Sequence, residues 1–336
     1  MPDSTLSFRT KIIVENASDT TQSLESGVFR LKPYVLTFLA QENGGATYST
    51  YKKSIDQWGF KNIESDVWPS TWWTRFNYQG IDPFTAHQYL QVGGDASFAK
   101  AKSSDHPDWI SWVNTFGIDV CYWSTVTGTY KLSAVLEWRA HSKTRDGWCF
   151  GIAASNALAF RYKYDFATKY PDFPPFEHPF SVLPDTNAIK VVNELFTNQY
   201  GNPSIANDQI KYGIITPTGT LNEIKEMLRE DNAEVKTLTI CNNATGSGAH
   251  TILAYGLSQD AVLTSSYYVR VYDNSYPNSD KPIIIDTADN GGRGSWASAD
   301  WPSWGGYKNI YLEVPAFNYL YGGFFPIASA HKSPLS

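Results

Sequence analysis

Three side chains have the types and the sequence setting of a nucleophile, a base and a group that orients the base. Cys149 follows a Gly-Trp pair, His250 follows a glycine-rich run and opens an apolar segment, and Asp273 ends the segment YYVRVYD. A thiol becomes an effective nucleophile when an imidazole takes its proton, and a carboxylate can hold that imidazole in the required tautomer. The chemistry that these residues predict is the attack of a thiolate on an acyl group.

The segment around Cys149 predicts a buried helix that carries the thiol in its first turn. Small and apolar residues follow the cysteine, and Asp146 is the predicted N-cap of a helix that runs to about Tyr164. Cys149 would be the third helical residue, where the positive end of the helix dipole favours a thiolate. A cysteine in an Ala-rich helix is also a common packing residue, so the helix alone does not decide its role.

Two further helices are predicted downstream of this one. Apolar residues at three- and four-residue steps predict a helix over 186–200, which a glycine ends. Thr220 and Glu223 have the spacing of a capping box and predict the start of a helix over 220–231.

After these helices the sequence predicts strands. Each is bounded by Gly, Asn, Ser or Pro, and they cover 235–241, 249–257, 267–273, 282–286 and 309–314. Helices followed by strands predict an α+β fold with an antiparallel sheet. The helix at Cys149 would then pack against the strand that begins near His250, which would bring the thiol and the imidazole together.

Residues 1–130 differ in composition from the rest of the chain. Segments 6–14 and 28–39 are rich in β-branched and aromatic residues, and tryptophans are spread through Pro-broken sequence after them. With 336 residues the chain is long for one core. We therefore predict a β-rich, Trp-rich domain over 1–130, which binds or shapes a substrate, and a second domain over 131–336 that carries the chemistry.

The composition excludes some classes of function. The net charge is −6, from 27 basic and 33 acidic residues, so nothing predicts a nucleic-acid partner. No apolar run approaches the ~18 residues that a membrane span needs, and the given sequence opens without the pattern of a signal peptide. A soluble protein is expected, with secretion and a cytoplasmic location equally compatible. The sequence does not indicate an oligomeric state.

Other residues with chemical potential receive ordinary interpretations. Cys121 and Cys241 are predicted as core residues of strands, with a disulfide between them left open. His141 and His178 are predicted at the surface. The acidic and amide-rich stretch 273–290 lacks the spacing of an EF-hand and is predicted as solvated loops, so neither a metal nor another cofactor is expected.

Several segments together resemble a known group of enzymes. DGWCFGIAASNALAF, GAHTILAYGL and YVRVYDNSYP resemble the Cys, His and Asp/Asn blocks of the papain-like cysteine peptidase superfamily, in its branches similar to bacteriocin-processing peptidases. With EIKEMLREDNAEVKTLTI the resemblance covers about residues 147–278 and none of 1–130. It implies a papain-like domain with a catalytic triad of Cys149, His250 and Asp273, and a cysteine peptidase that acts on a peptide or protein.

The oxyanion site departs from the pattern of that superfamily. Its members commonly supply a Gln shortly before the cysteine, and residues 139–148 contain none. The backbone N–H of Cys149 is predicted as one donor, and the second donor, still unassigned, could come from the N-terminal region. Asp273 rather than Asn274 is predicted to orient His250, because neighbours in a strand point to opposite faces and Asp273 shares its face with apolar residues.

The residues leave other functions open. An amidase, a deamidase or a transglutaminase-type enzyme uses the same three roles as a peptidase. A non-enzymatic alternative is an inactive binding protein whose lectin-like N-terminal region binds carbohydrate. Trp296, Trp301 and Trp304 are predicted to fill a core, and covering the active-site cleft is the alternative for them.

Overall fold

The structure is a computed structural model that describes residues 51–67, 81–89, 107–142, 147–229, 234–245 and 248–320. Before residue 51 it describes only the backbone of short strands. These are β1 Arg9–Thr10, β2 Ile13–Asn16, β3 Asp19–Glu25, β4 Phe29–Arg30, β5 Leu36–Thr37, β6 Leu39–Glu42 and β7 Thr47–Thr50.

Helices occupy most of the described chain between residues 107 and 229. The α-helices up to that point are α1 Lys53–Asp56, α2 Glu64–Val67, α3 Trp109–Phe116, α4 Ile118–Cys121, α5 Leu132–His141, α6 Cys149–Arg161, α7 Lys163–Lys169, α8 Thr186–Thr197, α9 Asn202–Lys211 and α10 Pro217–Met227. Short 3-10 helices cover Pro179–Ser181, Asn198–Tyr200 and Ala316–Leu320, and a helical turn covers Asp289–Gly292. The helix predicted over 186–200 is present as α8 and the 3-10 turn that extends it.

The strands after α10 form one antiparallel sheet. They are β10 Lys236–Cys241, β11 Ala249–Gln259, β12 Ser266–Tyr272, β13 Ile283–Asp286, β14 Ser295–Ser298 and β15 Ile310–Pro315, and a separate small hairpin joins β8 Tyr122–Ser124 to β9 Thr129–Tyr130. The order in the sheet is β14-β13-β12-β11-β10-β15, and β5 pairs with β11 beyond the end of β10. The predicted α+β class with an antiparallel sheet is confirmed, and β14 is a strand that the sequence analysis missed.

Helix α6 is the buried element that joins the helices to the sheet. It packs against α8 on one side and against β10 and β11 on another, and nearly all of its residues are buried. Small side chains make this close packing possible. At Gly151 an added Cβ atom would lie 2.1 Å from the backbone oxygen of Val192 in α8. The small residues that follow Cys149 therefore set the distance between two helices.

Substitution of Gly151 by alanine is expected to destabilise the protein. The added methyl would force α6 and α8 apart, and overpacking of this kind costs about 3 kcal/mol. The control is Gly219→Ala in α10, where the new Cβ would meet only side chains, those of Ile215 at 3.2 Å and of Thr216 at 3.4 Å. That variant should stay within about 1 kcal/mol of wild type. Urea unfolding measures both, and equal stability of the two variants would contradict the packing argument.

The start of α10 differs from its prediction. Its N-cap is Thr216, whose side chain accepts a hydrogen bond from the Gly219 N–H at 3.1 Å. Thr220, the predicted cap, lies inside the helix, and its hydroxyl donates to the backbone oxygen of Ile310 at 2.6 Å. The predicted capping box is therefore wrong, because a buried Thr in a helix can use its hydroxyl to bind a neighbouring strand.

The region predicted as β-rich contains helices as well. Helix α3 begins after Asp108, whose side chain accepts a hydrogen bond from the Ser111 N–H at 2.7 Å. Trp109, Trp112 and Phe116 have helical spacing and are buried together. The β-rich prediction is therefore wrong for this part of the region, because Asp108 caps a short amphipathic helix directly after Pro107.

Residues from both sides of the predicted boundary at residue 130 share one buried cluster. The hydroxyl of Tyr51 donates to Asn156 Oδ1 in α6 at 2.9 Å, and Trp58 Nε1 donates to Ser155 Oγ at 2.9 Å. The division into domains 1–130 and 131–336 stays a prediction. These contacts show that residues 51–60 pack directly on the helix that carries the thiol.

Within the described ranges, no helix combines the length and the apolar character needed to cross a bilayer.

Candidate active site

Cys149 is the first residue of α6 and is half-buried. Trp148 is the N-cap, with non-helical backbone angles and no side-chain cap. The predicted third position behind an Asp146 cap is therefore wrong, and Asp146 itself lies outside the described residues. The helix starts later because Asn62 Oδ1 accepts the Trp148 N–H at 2.6 Å, so a tertiary contact replaces a local cap. The thiol therefore lies beside the N–H groups of the first turn, which have no acceptor within the helix.

The structure brings the three predicted residues together. His250 lies near the start of β11, and its Nε2 is 2.7 Å from Asp273 Oδ1. Both side chains are buried. The imidazole also hydrogen-bonds the Cys149 thiol, and because Nε2 is held by the carboxylate, Nδ1 is the nitrogen left for the sulfur. The order of contacts is thiol, imidazole, carboxylate, as the sequence predicted.

This arrangement shifts the pKa values of the thiol and the imidazole in opposite directions. Burial raises the pKa of Cys149, but the hydrogen bond and charge of His250, with the N–H groups of Thr251 and Phe150, lower it below its ordinary value. Burial lowers the pKa of His250, but the hydrogen bonds to Asp273 and Cys149 raise it to about 10. Both shifts favour the thiolate and imidazolium pair over the neutral thiol and imidazole.

Asp273 is itself held ionised by several donors. Burial raises its pKa, but His250, Trp301 and the Ser275 N–H outweigh burial and lower it. Trp301 Nε1 donates to Asp273 Oδ2 at 2.7 Å, and the Ser275 N–H donates to Oδ1 at 2.9 Å. The Tyr276 N–H also donates to Oδ1, at 3.4 Å. With one donor on Oδ2 and three on Oδ1, the carboxylate cannot rotate without losing hydrogen bonds. Its orientation toward His250 is therefore fixed.

The tryptophans of the C-terminal region divide between the two predicted roles. The Trp301 ring centroid lies 4.7 Å from that of His250, and the Trp304 centroid lies 4.4 Å from that of Trp301. Trp296 is buried, and its Nε1 donates to the Lys308 backbone oxygen at 2.7 Å. The core interpretation holds for Trp296. Trp301 instead lies against the imidazole, and Trp304 packs on Trp301.

The open edge of β11 explains why the site forms where it does. Pairing of β12 with β11 ends at Tyr272 and Leu253, and within the described part of the chain no other strand pairs with the next backbone groups of β11 on this edge. The Thr251 N–H is used by the sulfur of Cys149. The Thr251 oxygen accepts Asn274 Nδ2 at 2.9 Å, and the same amide donates to the Cys149 backbone oxygen at 3.1 Å. Asn274 thus ties the helix to the strand.

Asn62 is a site residue that the sequence analysis did not find. Besides accepting the Trp148 N–H, it donates from Nδ2 to Ser275 Oγ at 3.2 Å, and its own N–H donates to the Asn274 oxygen at 2.9 Å. An added Cβ at Gly147 would lie 2.7 Å from the Asn62 amide, so this glycine gives the amide room. A side-chain amide from the N-terminal region therefore lies against the residues that flank the thiol.

The remaining candidates lie elsewhere. All three cysteines fall within the described residues and are free thiols; Cys121 ends a short helix rather than a strand, and Cys241 ends β10. His178 is exposed, as predicted, whereas His141 is half-buried and stacks on Tyr200 at a centroid distance of 4.6 Å, which corrects its surface assignment. Among the described residues, no group of three or more His, Cys, Asp or Glu side chains is arranged to hold a metal ion.

A scan against protein-family models, a search of curated proteins and a search of solved structures found no match to this chain.

Proposed function

We propose that this protein is a thiol hydrolase that cleaves peptide bonds, with Cys149 as nucleophile, His250 as base and acid, and Asp273 as the group that orients His250. The observation that carries the proposal is the position of the buried imidazole, which binds the thiol on one side and a fixed carboxylate on the other. A packing cysteine needs no such partners. The resemblance to papain-like peptidases, drawn from the sequence, points to the same reaction.

The proposed reaction uses each contact of the site. The Cys149 sulfur attacks the carbonyl carbon of the scissile bond, and the carbonyl electron pair moves to the oxygen. When the tetrahedral intermediate collapses, the C–N bond breaks and the His250 imidazolium gives its proton to the leaving amine. Water then attacks the thioester, and His250 takes a proton from that water. The carboxylic acid product leaves, and the thiolate of Cys149 and the imidazolium of His250 are regenerated.

The oxyanion of that intermediate needs donors close to the sulfur. The Cys149 N–H is one, because it opens the helix and has no acceptor one turn earlier within it. We assign the second role to Asn62 Nδ2. An amide nitrogen carries two hydrogens, and the bond to Ser275 Oγ uses one of them, so one remains for the oxyanion. This would make the N-terminal part of the chain a contributor to the reaction.

The experiment that tests the proposal follows alkylation of Cys149 by iodoacetamide as a function of pH. We expect the rate to rise with an apparent pKa below the ~8.5 of a free cysteine, because the lowered pKa of Cys149 maintains thiolate at lower pH. The variant His250→Ala removes the main cause of that lowering and leaves burial opposed only by the N–H groups of Thr251 and Phe150, so its inflection should move above that of wild type. Peptide mapping locates the label.

The buried thiol of Cys241 is the internal control, because burial raises its pKa and should keep it unlabelled while the protein is folded. A wild-type inflection at or above the free-cysteine value, unchanged by His250→Ala, would contradict the proposal. Cleavage of a labelled unfolded protein, compared with release of ammonia from a glutamine side chain, then separates a peptidase from an amidase or deamidase.

A further inference from the structure

Two acidic side chains are buried where α9 packs on β15, apart from the Cys149, His250 and Asp273 triad. Glu313 lies on β15 and is 1% exposed, and Asp208 lies on α9 and is 2% exposed. They are close enough for the charge of Asp208 to act on Glu313. Acidic side chains are almost never fully buried unless a group of opposite charge pairs with them. The charges around these two acids therefore decide their protonation state.

The hydrogen bonds of Glu313 come from neutral groups. The Thr239 hydroxyl of β10 donates to Oε1 at 2.5 Å, and Asn207 Nδ2 of α9 donates to Oε2 at 3.4 Å. These donors satisfy both carboxyl oxygens, but neither of them carries a positive charge. A buried carboxylate without a cation beside it is costly, so these surroundings favour the neutral form of Glu313.

The cation that acts on Glu313 is Lys211, at the end of α9, and it already has partners. Its Nζ lies 2.6 Å from Glu223 Oε2 of α10 and donates to the Leu312 backbone oxygen at 2.9 Å. Glu223 therefore takes up the charge of this lysine. The two buried acids are left with no spare positive charge among the described groups that act on Glu313.

The other titratable groups that face the two acids can only add negative charge. They lie on β15, on β10 and in the 3-10 helix that follows β15, and they are Tyr311, Cys241 and Tyr319. Burial and the charges of the two acids raise the pKa of each of these three side chains, so all three stay neutral. They do not offset the like charges of Glu313 and Asp208.

Two neighbouring carboxyl groups without a spare cation favour a state in which they hold one proton. Burial and the charge of Asp208 raise the pKa of Glu313 well above its ordinary value, although Thr239, Lys211 and Asn207 oppose that rise. Loss of the proton would place like charges on both sides of the contact between α9 and β15. This contact covers the outer edge of the sheet, where Asn207 and Lys211 both donate to the backbone oxygen of Leu312.

We propose that Glu313 and Asp208 share one proton that holds α9 against β15, so that the fold is more stable in mildly acidic than in alkaline solution. The proton is released when the chain unfolds, because both carboxyl groups then face water. The stability that the pair contributes is fully present below the ordinary glutamate pKa of 4.5 and is lost as the pH rises toward the raised pKa of folded Glu313. The proposal does not depend on catalysis by Cys149.

Urea unfolding of the full chain at about pH 5.5 and about pH 7.5, at constant ionic strength, tests this proposal. One extra proton in the folded state raises the unfolding equilibrium constant about tenfold per pH unit. Relative to Glu313→Gln, which has no such proton, the wild-type constant should therefore rise about 100-fold between the two pH values. The comparison cancels the other titrating groups, because both proteins contain them. Glutamine keeps an oxygen for the Thr239 hydroxyl, so the variant should fold, which circular dichroism checks.

A second variant and a control connect the effect to the pair. Asp208→Asn removes the like charge but leaves Glu313 buried, so it should reduce the wild-type pH dependence at least about threefold. Glu226→Gln changes an exposed glutamate of α10 and should keep the full wild-type dependence. The proposal is overturned if wild type and Glu313→Gln respond to pH within about twofold of each other. It is also overturned if Asp208→Asn keeps the wild-type dependence or if Glu226→Gln loses it.

Discussion

Replacement of Cys149, the proposed nucleophile, by alanine is expected to lower the rate of peptide-bond cleavage by about 10⁴-fold or more, because only binding and oxyanion stabilisation would then remain. The loss should appear in kcat with little change in KM. The fold should survive, because the side chain is small and the residue is half-buried. Cleavage of a fluorescently labelled unfolded protein, in parallel with thermal melting, measures both properties.

Cys241→Ala is the matched control for that experiment. Cys241 is also a free thiol, but it is buried at the end of β10, so its removal should cost about 1 kcal/mol of stability and leave the activity of the folded protein unchanged. If Cys149→Ala retained activity within tenfold of wild type, another group would have to be the nucleophile. Equal losses of activity in folded Cys149→Ala and Cys241→Ala would also mean that Cys149 is not the nucleophile.

Replacement of Asp273 by alanine is expected to lower kcat/KM by about 10²- to 10⁴-fold, the range in which loss of an orienting carboxylate falls. The sign of the accompanying pH effect follows from the contacts. Ionised Asp273 is a main cause that raises the pKa of His250 to about 10. Without the carboxylate the pKa of His250 falls, so the imidazolium loses its proton at lower pH. The upper limit of the pH range in which thiolate and imidazolium coexist therefore moves down. The pH profile of Cys149 alkylation reports this shift directly.

Asn274→Ala is the neighbouring control, and it should behave differently. Asn274 donates to the backbone oxygens of Cys149 and Thr251 and does not reach the imidazole in the observed contacts. Its loss should cost about 2 kcal/mol of stability, about 1 kcal/mol for each hydrogen bond. The pH profile of Cys149 alkylation should shift little. Equal and mild losses of activity in both alanine variants would mean that Asp273 is not the orienting residue.

An amide at position 273 should give an intermediate result. In Asp273→Asn the side-chain oxygen can still accept from His250, as an amide does in many papain-like enzymes. Its NH₂ group then faces Trp301 Nε1, which is also a donor and now lacks an acceptor. We therefore expect activity between that of wild type and that of Asp273→Ala.

After residue 147 the sequence predicted the elements with a complete local pattern, which are α6, α8, α10 and five of the six sheet strands, and it missed α7, α9 and β14. Strand β11, for example, is a continuous apolar run bounded by glycine, and its burial in the sheet follows from that composition. The proximity of Cys149, His250 and Asp273 was predictable for the same reason. Cys149 lies at the start of a helix and His250 near the start of a strand, although α6 begins later than predicted.

Contacts over long distances in the chain were not predictable in this way. Asn62 binds the Trp148 N–H across 86 residues and stands in a segment with no recognisable pattern. The sequence analysis did not distinguish Trp301 from the nearby tryptophans, because nothing in the residues adjacent to it indicates that its N–H binds a carboxylate. The capping box at Thr220 failed for the opposite reason. The local pattern was present, but burial against β15 gave the hydroxyl a better partner.

The chain order of these contacts has a consequence for protein synthesis. Asn62 and Cys149 leave the ribosome well before His250 and Asp273, and β15, which borders β10, is the last of the sheet strands to emerge. At about 5–20 residues per second, the nascent chain carries its thiol for several seconds without the imidazole that lowers the thiol pKa. An unassisted thiol is mostly protonated at neutral pH. The Cys149 thiol of the nascent chain is therefore weakly reactive toward other molecules until the sheet that carries His250 has formed.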